Sequence, residues 1–143
     1  MSTHDNIAIV RRFVDQVVNK GDLSLIDELW AEDLVWRGGS LGEVRGIAAY
    51  RDMLAAAAGN AFTGMRLDIE QIIADGDTVV LLFTNGGTHE GEFLGIPGTG
   101  RTARWSGVGV YRVSDGRIAE ATFVEDILAM LVQLGVTELP STG

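Results

Sequence analysis

The sequence predicts an α+β fold in which helices come first and a mainly antiparallel sheet follows. Apolar residues recur at helical spacing early in the chain, whereas residues 65–124 contain apolar runs of strand length. Two Asp-Gly pairs, Asp75-Gly76 and Asp115-Gly116, lie between such runs and are typical of hairpin turns, because Gly tolerates a positive φ. We therefore expect a sheet closed on one side by three or four helices.

Each element is predicted from its apolar spacing and from the residues that bound it. Capping residues and terminal glycines delimit helices over residues 6–19, from Asp22 or Ser24 through Trp30, over Gly46 to Ala58, and from Asp126 to Gly135. Strands are predicted for Met65 to Ala74, Thr78 to Gly87, Thr102 to Val113 and Arg117 to Val124. Residues 136–143 would form a short tail. Since no linker or repeat interrupts the pattern, residues 1–143 are predicted to form a single domain.

Composition excludes several classes of partner. The net charge of −9 and the pI of about 4.5 disfavour nucleic acid and anionic membranes, because both would repel the chain. No run approaches the length of a membrane span, and Met1 to Asp5 is too polar for a signal peptide, so a cytoplasmic protein is predicted. The absence of cysteine excludes disulfides, thiolate nucleophiles and Cys-ligated metals.

Cofactor sites are also disfavoured by the residues present. The chain has two histidines, and His4 is expected in a mobile leader, so a metal site would need an improbable pairing with His89. The segment GIPGTGR lacks the Lys-Ser/Thr end of a phosphate-binding loop, and Gly107 to Gly109 lies inside a predicted strand. Ser106 lacks the GxSxG context of a nucleophile. We expect neither a metal nor an organic cofactor.

Four segments resemble one family. They are Thr88 to Arg101 (THEGEFLGIPGTGR), Gly76 to Phe83 (GDTVVLLF), Arg104 to Glu120 (RWSGVGVYRVSDGRIAE) and Val124 to Gly135 (VEDILAMLVQLG). In this order and spacing they resemble the SnoaL-like polyketide cyclases of the nuclear transport factor 2-like superfamily. The resemblance implies a cone-shaped α+β barrel, a curved sheet with helices around one apolar cavity. The superfamily includes cyclases, isomerases, hydroxylases and non-catalytic binders, so it leaves the chemistry open.

Strand parity predicts which side chains line that cavity. One face of the third strand carries Trp105, Gly107, Gly109 and Tyr111, and the matching face of the fourth carries Ala119, Ala121 and Phe123. The assignment assumes that no bulge lies between the two strands. The opposite, outer face would expose Val108, Val110, Ile118 and Val124, which predicts a homodimer through the sheets.

The resemblance also implies where the catalytic acid would be found. In the cyclases that the chain resembles, the strand after the Asp-Gly turn ends in a His-Trp-Asp-like stretch whose aspartate is the acid/base of an aldol closure. Here the stretch falls on Ala121, Thr122 and Phe123, so we expect a pocket without that group. The preferred function is therefore cofactor-independent hydroxylation of an anthracycline-type polycyclic polyketide, as in a branch of the family, with a separate reductase as a candidate partner. An aldol cyclase or ketosteroid-isomerase-like enzyme with a base elsewhere, and a non-catalytic small-molecule binder, remain as alternatives.

Eight residues are candidates for the site. The candidate catalytic residues are Asn85 and Trp105, which would hold a substrate oxygen through an amide and an indole N–H. Core packing for Trp105 and a turn role for Asn85 are the alternatives. Trp36, Phe83, Tyr111 and Phe123 are predicted to contact an aromatic substrate. His89 and Asp126 are further candidates, although His89 could hold its loop and Asp126 could cap the last helix.

Overall fold

The computed structural model describes residues 2–141, without the side chains of residues 58 and 59. Its six strands form one curled sheet in the order β2-β1-β6-β5-β4-β3. The strands are β1 (Trp30–Arg37), β2 (Glu43–Arg45), β3 (Phe62–Asp75), β4 (Thr78–His89), β5 (Thr102–Ser114) and β6 (Arg117–Glu125). The α-helices are α1 (Thr3–Arg12), α2 (Ile26–Leu29), α3 (Ile47–Ala56) and α4 (Ile127–Gln133). The prediction of an α+β fold with a curved, mainly antiparallel sheet is confirmed.

The N-terminal helix begins earlier than the sequence pattern indicated. Ser2 caps α1 by accepting a hydrogen bond from Asp5 N–H, and Asp5 returns the contact to the Ser2 backbone. His4 therefore lies in a helix, and the expectation of a mobile leader at His4 is wrong. The helix continues as a π-helical segment, Phe13–Val18, whose buried Phe13 packs into the main core.

The predicted second helix is shorter than expected because a strand replaces its end. A 3-10 turn, Leu23–Leu25, precedes α2, and β1 begins at Trp30. Strand β1 pairs parallel with β6, and the register of this pair shifts between Trp30 and Val35. That irregularity destroys the alternation by which a strand is recognised in a sequence, which explains why β1 was not predicted.

The two hairpins are confirmed. Strands β3 and β4 join at Asp75 and Thr78, and β5 and β6 join at Ser114 and Arg117. Strand β5 alternates between buried and exposed residues along its whole length. Its inward face carries the predicted Trp105, Gly107, Gly109 and Tyr111.

A β-bulge corrects the predicted faces at the start of β6. Arg112 pairs with Glu120 whereas Val113 pairs with Ile118, so Ala119 is an extra residue without a partner on β5. Ile118 consequently faces the core and is 0% exposed, and its predicted place on the outer face is wrong. Ala119, which was predicted to face inward with Ala121 and Phe123, is the extra residue of the bulge, so that prediction is also wrong. Beyond the bulge, the predicted parity holds.

The outer face of the sheet exposes apolar side chains. Val108, Val110 and Val124 are 37%, 40% and 71% exposed, as predicted for that face. Residues 136–141 contain neither helix nor strand, and the rest of the predicted tail, Thr142 and Gly143, lies outside the described residues. Among residues 2–141, no helix is long and apolar enough to cross a membrane.

Candidate functional site

A cavity of about 440 Å³ lies between the inner face of the sheet and the helices. Its wall is mostly apolar, and a volume in this range suits a small organic ligand. Phe13, Tyr50 and Tyr111, which are at most 2% exposed, form a buried part of its wall. Leu94, in the loop after β4, also lines the cavity and is 53% exposed, so this loop lies at the open side.

Among the described residues that line the cavity, Glu125 is the one that carries a carboxyl group. Glu125 is the last residue of β6 and pairs with Gly107 on β5. Trp105 Nε1 donates a hydrogen bond of 2.9 Å to Glu125 Oε1. Asn85 pairs with Trp105 across β4 and β5, and its side chain also acts on Glu125 by hydrogen bonding. Because the Asn85 Oδ1 atom accepts from Gly86 N–H at 2.9 Å, the amide NH₂ is the group left to face the carboxylate.

Burial raises the pKa of Glu125 above its ordinary value, and hydrogen bonds from Trp105 and Asn85 only partly oppose that effect. A carboxyl group with a raised pKa exchanges a proton more readily near neutral pH than a solvated one does. Perturbed carboxyl groups in apolar clefts are typical of general acids and bases. Glu125 therefore has the environment of a proton-transfer group.

The glycines of β5 make this arrangement sterically feasible. A Cβ atom on Gly107 would lie 2.5 Å from Phe83 Cζ and 2.9 Å from Glu125 Cγ. A Cβ atom on Gly109 would lie 2.9 Å from Phe123 Cζ and 3.1 Å from Tyr111 Cε2. The lack of a side chain at these two positions leaves the space that Glu125 and the three aromatic rings occupy.

Most of the predicted aromatic residues are brought together. Trp36, Trp105, Tyr111 and Phe123 line the cavity, as does Asn85. Phe123 contacts its neighbours at ring-centroid distances of 6.1 Å to Trp36 and 5.4 Å to Tyr111. Phe83 does not line the cavity. It is 1% exposed, and its ring packs 5.7 Å from that of Phe123, which does line it.

The two remaining candidates, His89 and Asp126, are not among the residues that line the cavity, and both make structural contacts. His89 is 0% exposed, and its Nδ1 atom accepts from Thr99 N–H at 3.3 Å and lies 3.1 Å from the Thr99 hydroxyl. His89 thereby connects the end of β4 to Thr99, near the end of the loop that leads to β5. Asp126 caps α4 by accepting from Ala129 N–H at 3.0 Å. In the described part of the chain, no three His, Asp or Glu side chains are grouped as a metal site.

Glu125 was missed by the sequence analysis: Phe123 does occupy the position of the cyclases' aspartate, but the cavity contains a carboxyl group at another position. The predicted strand ended at Val124, one residue too early. Extending the inward series Ala121 and Phe123 by one more step would have reached Glu125. The carboxyl group thus lies two residues beyond the position where the family resemblance placed it.

The curled sheet with helices over one face is the cone fold of nuclear transport factor 2-like proteins. One solved structure with this fold is a putative SnoaL-like polyketide cyclase from Jannaschia. It superimposes with a TM-score of 0.86 at 22% identity and covers 95% of each chain. Residues 8–134 match the model of the family described as SnoaL-like polyketide cyclase, so the chain belongs to that family.

Two solved structures are closer in sequence. AclR from Streptomyces galilaeus, a putative hydroxylase, is 30% identical with a TM-score of 0.84, covering 99% of this chain and 91% of AclR. IdmH from Streptomyces antibioticus, a putative polyketide cyclase, is 30% identical with a TM-score of 0.79, covering 92% of this chain and 99% of IdmH. No curated protein matches the chain.

Proposed function

We propose that this protein is a polyketide cyclase in which Glu125 is the general acid/base. The observation that carries the proposal is the Glu125 carboxyl group, which lines an apolar cavity with a raised pKa and a hydrogen bond from Trp105. Cyclisation ranked second on the sequence alone because no such group was identified there. Glu125 removes that reason, and membership of the family supports the same reaction class.

The reaction requires only proton transfer and formation of one carbon–carbon bond. The Glu125 carboxylate takes a proton from a carbon between two carbonyl groups of the substrate, which gives an enolate. The enolate carbon attacks a second carbonyl carbon of the same molecule, and the new alkoxide takes the proton back from Glu125. The step is redox-neutral, so it needs no electron-transfer cofactor. A positioned acid/base contributes about 10²–10⁴-fold to such a reaction.

The surrounding residues have separate roles in this proposal. In this proposal Trp105 holds the carboxylate through its hydrogen bond, and the Asn85 amide donates to the enolate oxygen. Phe123 and Trp36 offer aromatic faces to a planar, polycyclic substrate. The apolar wall excludes water, which strengthens the electrostatic interactions of Glu125 with the reacting atoms.

Cofactor-independent hydroxylation is the second candidate, and the similarity to AclR over 99% of this chain favours it. Glu125 would then remove a phenolic proton from a reduced polycyclic substrate. The resulting electron-rich ring would react with dioxygen, placing one oxygen atom on carbon. The substrate and a separate reductase would supply the electrons that convert the other oxygen atom to water.

The two functions are distinguished by supplying purified protein with a polycyclic substrate whose β-dicarbonyl side chain is not yet closed into a ring, and with a chemically reduced polycyclic quinone. A cyclase forms a ring-closed product under anaerobic conditions, with loss of water or no change in mass. A hydroxylase requires dioxygen and incorporates one labelled oxygen atom from it. Glu125→Gln is the control in both arms. Saturable binding without turnover of either substrate would identify a non-catalytic binder and refute both proposals.

A further inference from the structure

One turn beside the cavity contains a residue that its backbone conformation does not favour. Leu94 and Gly95 form this turn between the bridged residues Phe93 and Ile96, and their φ angles are 52° and 77°. Phe93 and Ile96 exchange backbone hydrogen bonds of 3.0 Å and 2.9 Å. Two positive φ angles in a two-residue loop are typical of a type I′ turn, which favours Asn-Gly or Asp-Gly. Leucine has no short polar side chain that could hydrogen-bond locally, so its left-handed backbone costs free energy.

The hairpin between β5 and β6 has the same kind of turn with a residue that the turn favours. Asp115 and Gly116 have φ angles of 52° and 78° and follow Ser114, which pairs with Arg117. In the described part of the chain, Leu94 and Asp115 are the two residues other than glycine with a positive φ. Leu94 lines the cavity and Asp115 does not. The unfavourable residue is therefore at the turn beside the cavity, and backbone strain is often retained at ligand-binding positions.

Packing within the free protein does not account for the leucine. Its neighbour Phe93 belongs to the second hydrophobic cluster, and the Phe93 ring lies 5.2 Å from that of Phe62. Leu94 itself is 53% exposed, although it lines the cavity. It therefore has accessible apolar surface that a ligand in the cavity can cover, and covering that surface is favourable.

The loop that carries the turn is fixed at its base. Glu90 N–H donates to the Ala61 carbonyl oxygen at 3.0 Å, and Gly100 N–H donates to the His89 carbonyl oxygen at 2.7 Å. Together with the bonds across the turn, these contacts hold Leu94 at the cavity before a ligand binds. A residue that is held in advance loses little conformational freedom on binding, so more of its contact energy appears as affinity.

We propose that Leu94 is a specificity-determining residue whose side chain contacts the bound ligand at the open side of the cavity. The inference rests on the proposed function for the class of ligand, a planar polycycle. Glu90 and Glu92 are exposed in the same loop, and residues 90–100 contain no Lys or Arg. The ligand edge that meets Leu94 is therefore an apolar, uncharged ring edge or alkyl group, since a carboxylate or phosphate there would be repelled. Covering the Leu94 side chain offsets the cost of its left-handed backbone.

Replacing Leu94 with asparagine should act in opposite directions on stability and on binding. Asparagine suits the turn, so the unfolding midpoint of the ligand-free protein should rise by about 2–4 °C. Loss of the apolar contact should weaken binding of the neutral probe 1,8-dihydroxyanthraquinone by about 5- to 15-fold, measured by quenching of tryptophan fluorescence. Leu94→Met keeps an apolar side chain and should bind the probe within about twofold of wild type. Asp115→Leu, at the matched turn away from the cavity, should lower the midpoint and leave the probe affinity within about twofold.

An unchanged probe affinity of Leu94→Asn would overturn the inference. A lowered unfolding midpoint of Leu94→Asn would do so too, because it would show that the leucine stabilises the free protein. An equal loss of affinity in Leu94→Met or Asp115→Leu would also count against it, since the loss would not depend on an apolar contact at this turn. Absence of saturable binding to wild type would refute it together with the polycyclic ligand class. None of these measurements involves turnover, so they can fail while Glu125→Gln still abolishes activity, which would leave the proposed chemistry intact.

Discussion

Replacing Glu125 with glutamine tests the proposed chemistry with little change in shape. The glutamine Oε1 atom can still accept the 2.9 Å hydrogen bond from Trp105 Nε1, so the side chain should keep its position. The amide cannot take up a proton from carbon. We therefore expect kcat to fall by about 10²–10⁴-fold, the usual contribution of a positioned acid/base, with KM changed by no more than a few-fold.

The pH dependence gives a second readout of the same group. The proposed base acts as the carboxylate, so the wild-type rate should rise with pH along a limb set by the raised pKa of Glu125. For stability, a carboxyl group with a raised pKa in the folded state binds its proton more tightly there than in the unfolded chain. Its contribution is fully present below the unfolded pKa and is lost as the pH rises through the folded pKa.

Glu125→Gln should remove this loss of folding stability at higher pH, because the amide remains neutral at every pH. Denaturant unfolding of both proteins at about pH 4 and about pH 8 should show a smaller decrease of stability with pH in the variant. The steady-state assay should show a flattened rate profile. A variant that turns over the substrate at the wild-type rate would refute the role of Glu125, even if its stability changed as expected.

Three further predictions concern the neighbourhood of this group and the outer face. Trp105→Phe removes a hydrogen bond that lowers the pKa of Glu125, so the rising limb of the rate profile should move to higher pH. Gly107→Ala should cost about 1–3 kcal/mol of stability by overpacking and should slow turnover by displacing Glu125, whereas Ser106→Ala on the opposite face should do neither. We also propose a homodimer through the exposed outer face, for which light scattering of the wild type should give a dimer mass. Val108→Lys should reduce that mass to the monomer's. Val136→Lys, at an exposed valine elsewhere, should leave the dimer intact. A monomeric wild type would refute that proposal.

Regular alternation is what made much of the fold predictable. Strand β5 keeps a strict period of two between Thr102 and Ser114, so its cavity-facing residues were correctly assigned without a structure. The Asp-Gly turns fixed both hairpins for a comparable local reason, since Gly76 and Gly116 adopt the positive φ that these turns require. Capping of α4 by Asp126 depends equally on nearest neighbours in the chain.

The errors occur where tertiary pairing interrupts that regularity. Glu32 and Asp33 are exposed within β1, next to a shift in its register with β6, and this removes the periodic signal of the strand. The bulge at Ala119 has no signature in the residues themselves, because Ala-Glu-Ala can occupy a regular strand equally well. The end of β6 depends on the partner residue Gly107, which pairs with Glu125 from far along the chain.

The same bulge explains how one short strand serves both the core and the site. Ile118 faces the core near the hairpin, and a regular strand with Ile118 inward would direct Glu120, Thr122 and Val124 inward as well. Glu125 would then face solvent, and its pKa would lose the effect of burial. The extra residue at Ala119 changes the parity once, so that Ala121, Phe123 and Glu125 face the cavity while Ile118 remains buried. The proposed base is therefore positioned by a backbone irregularity six residues away, which is the re-aiming of a side chain that bulges beside functional sites commonly perform.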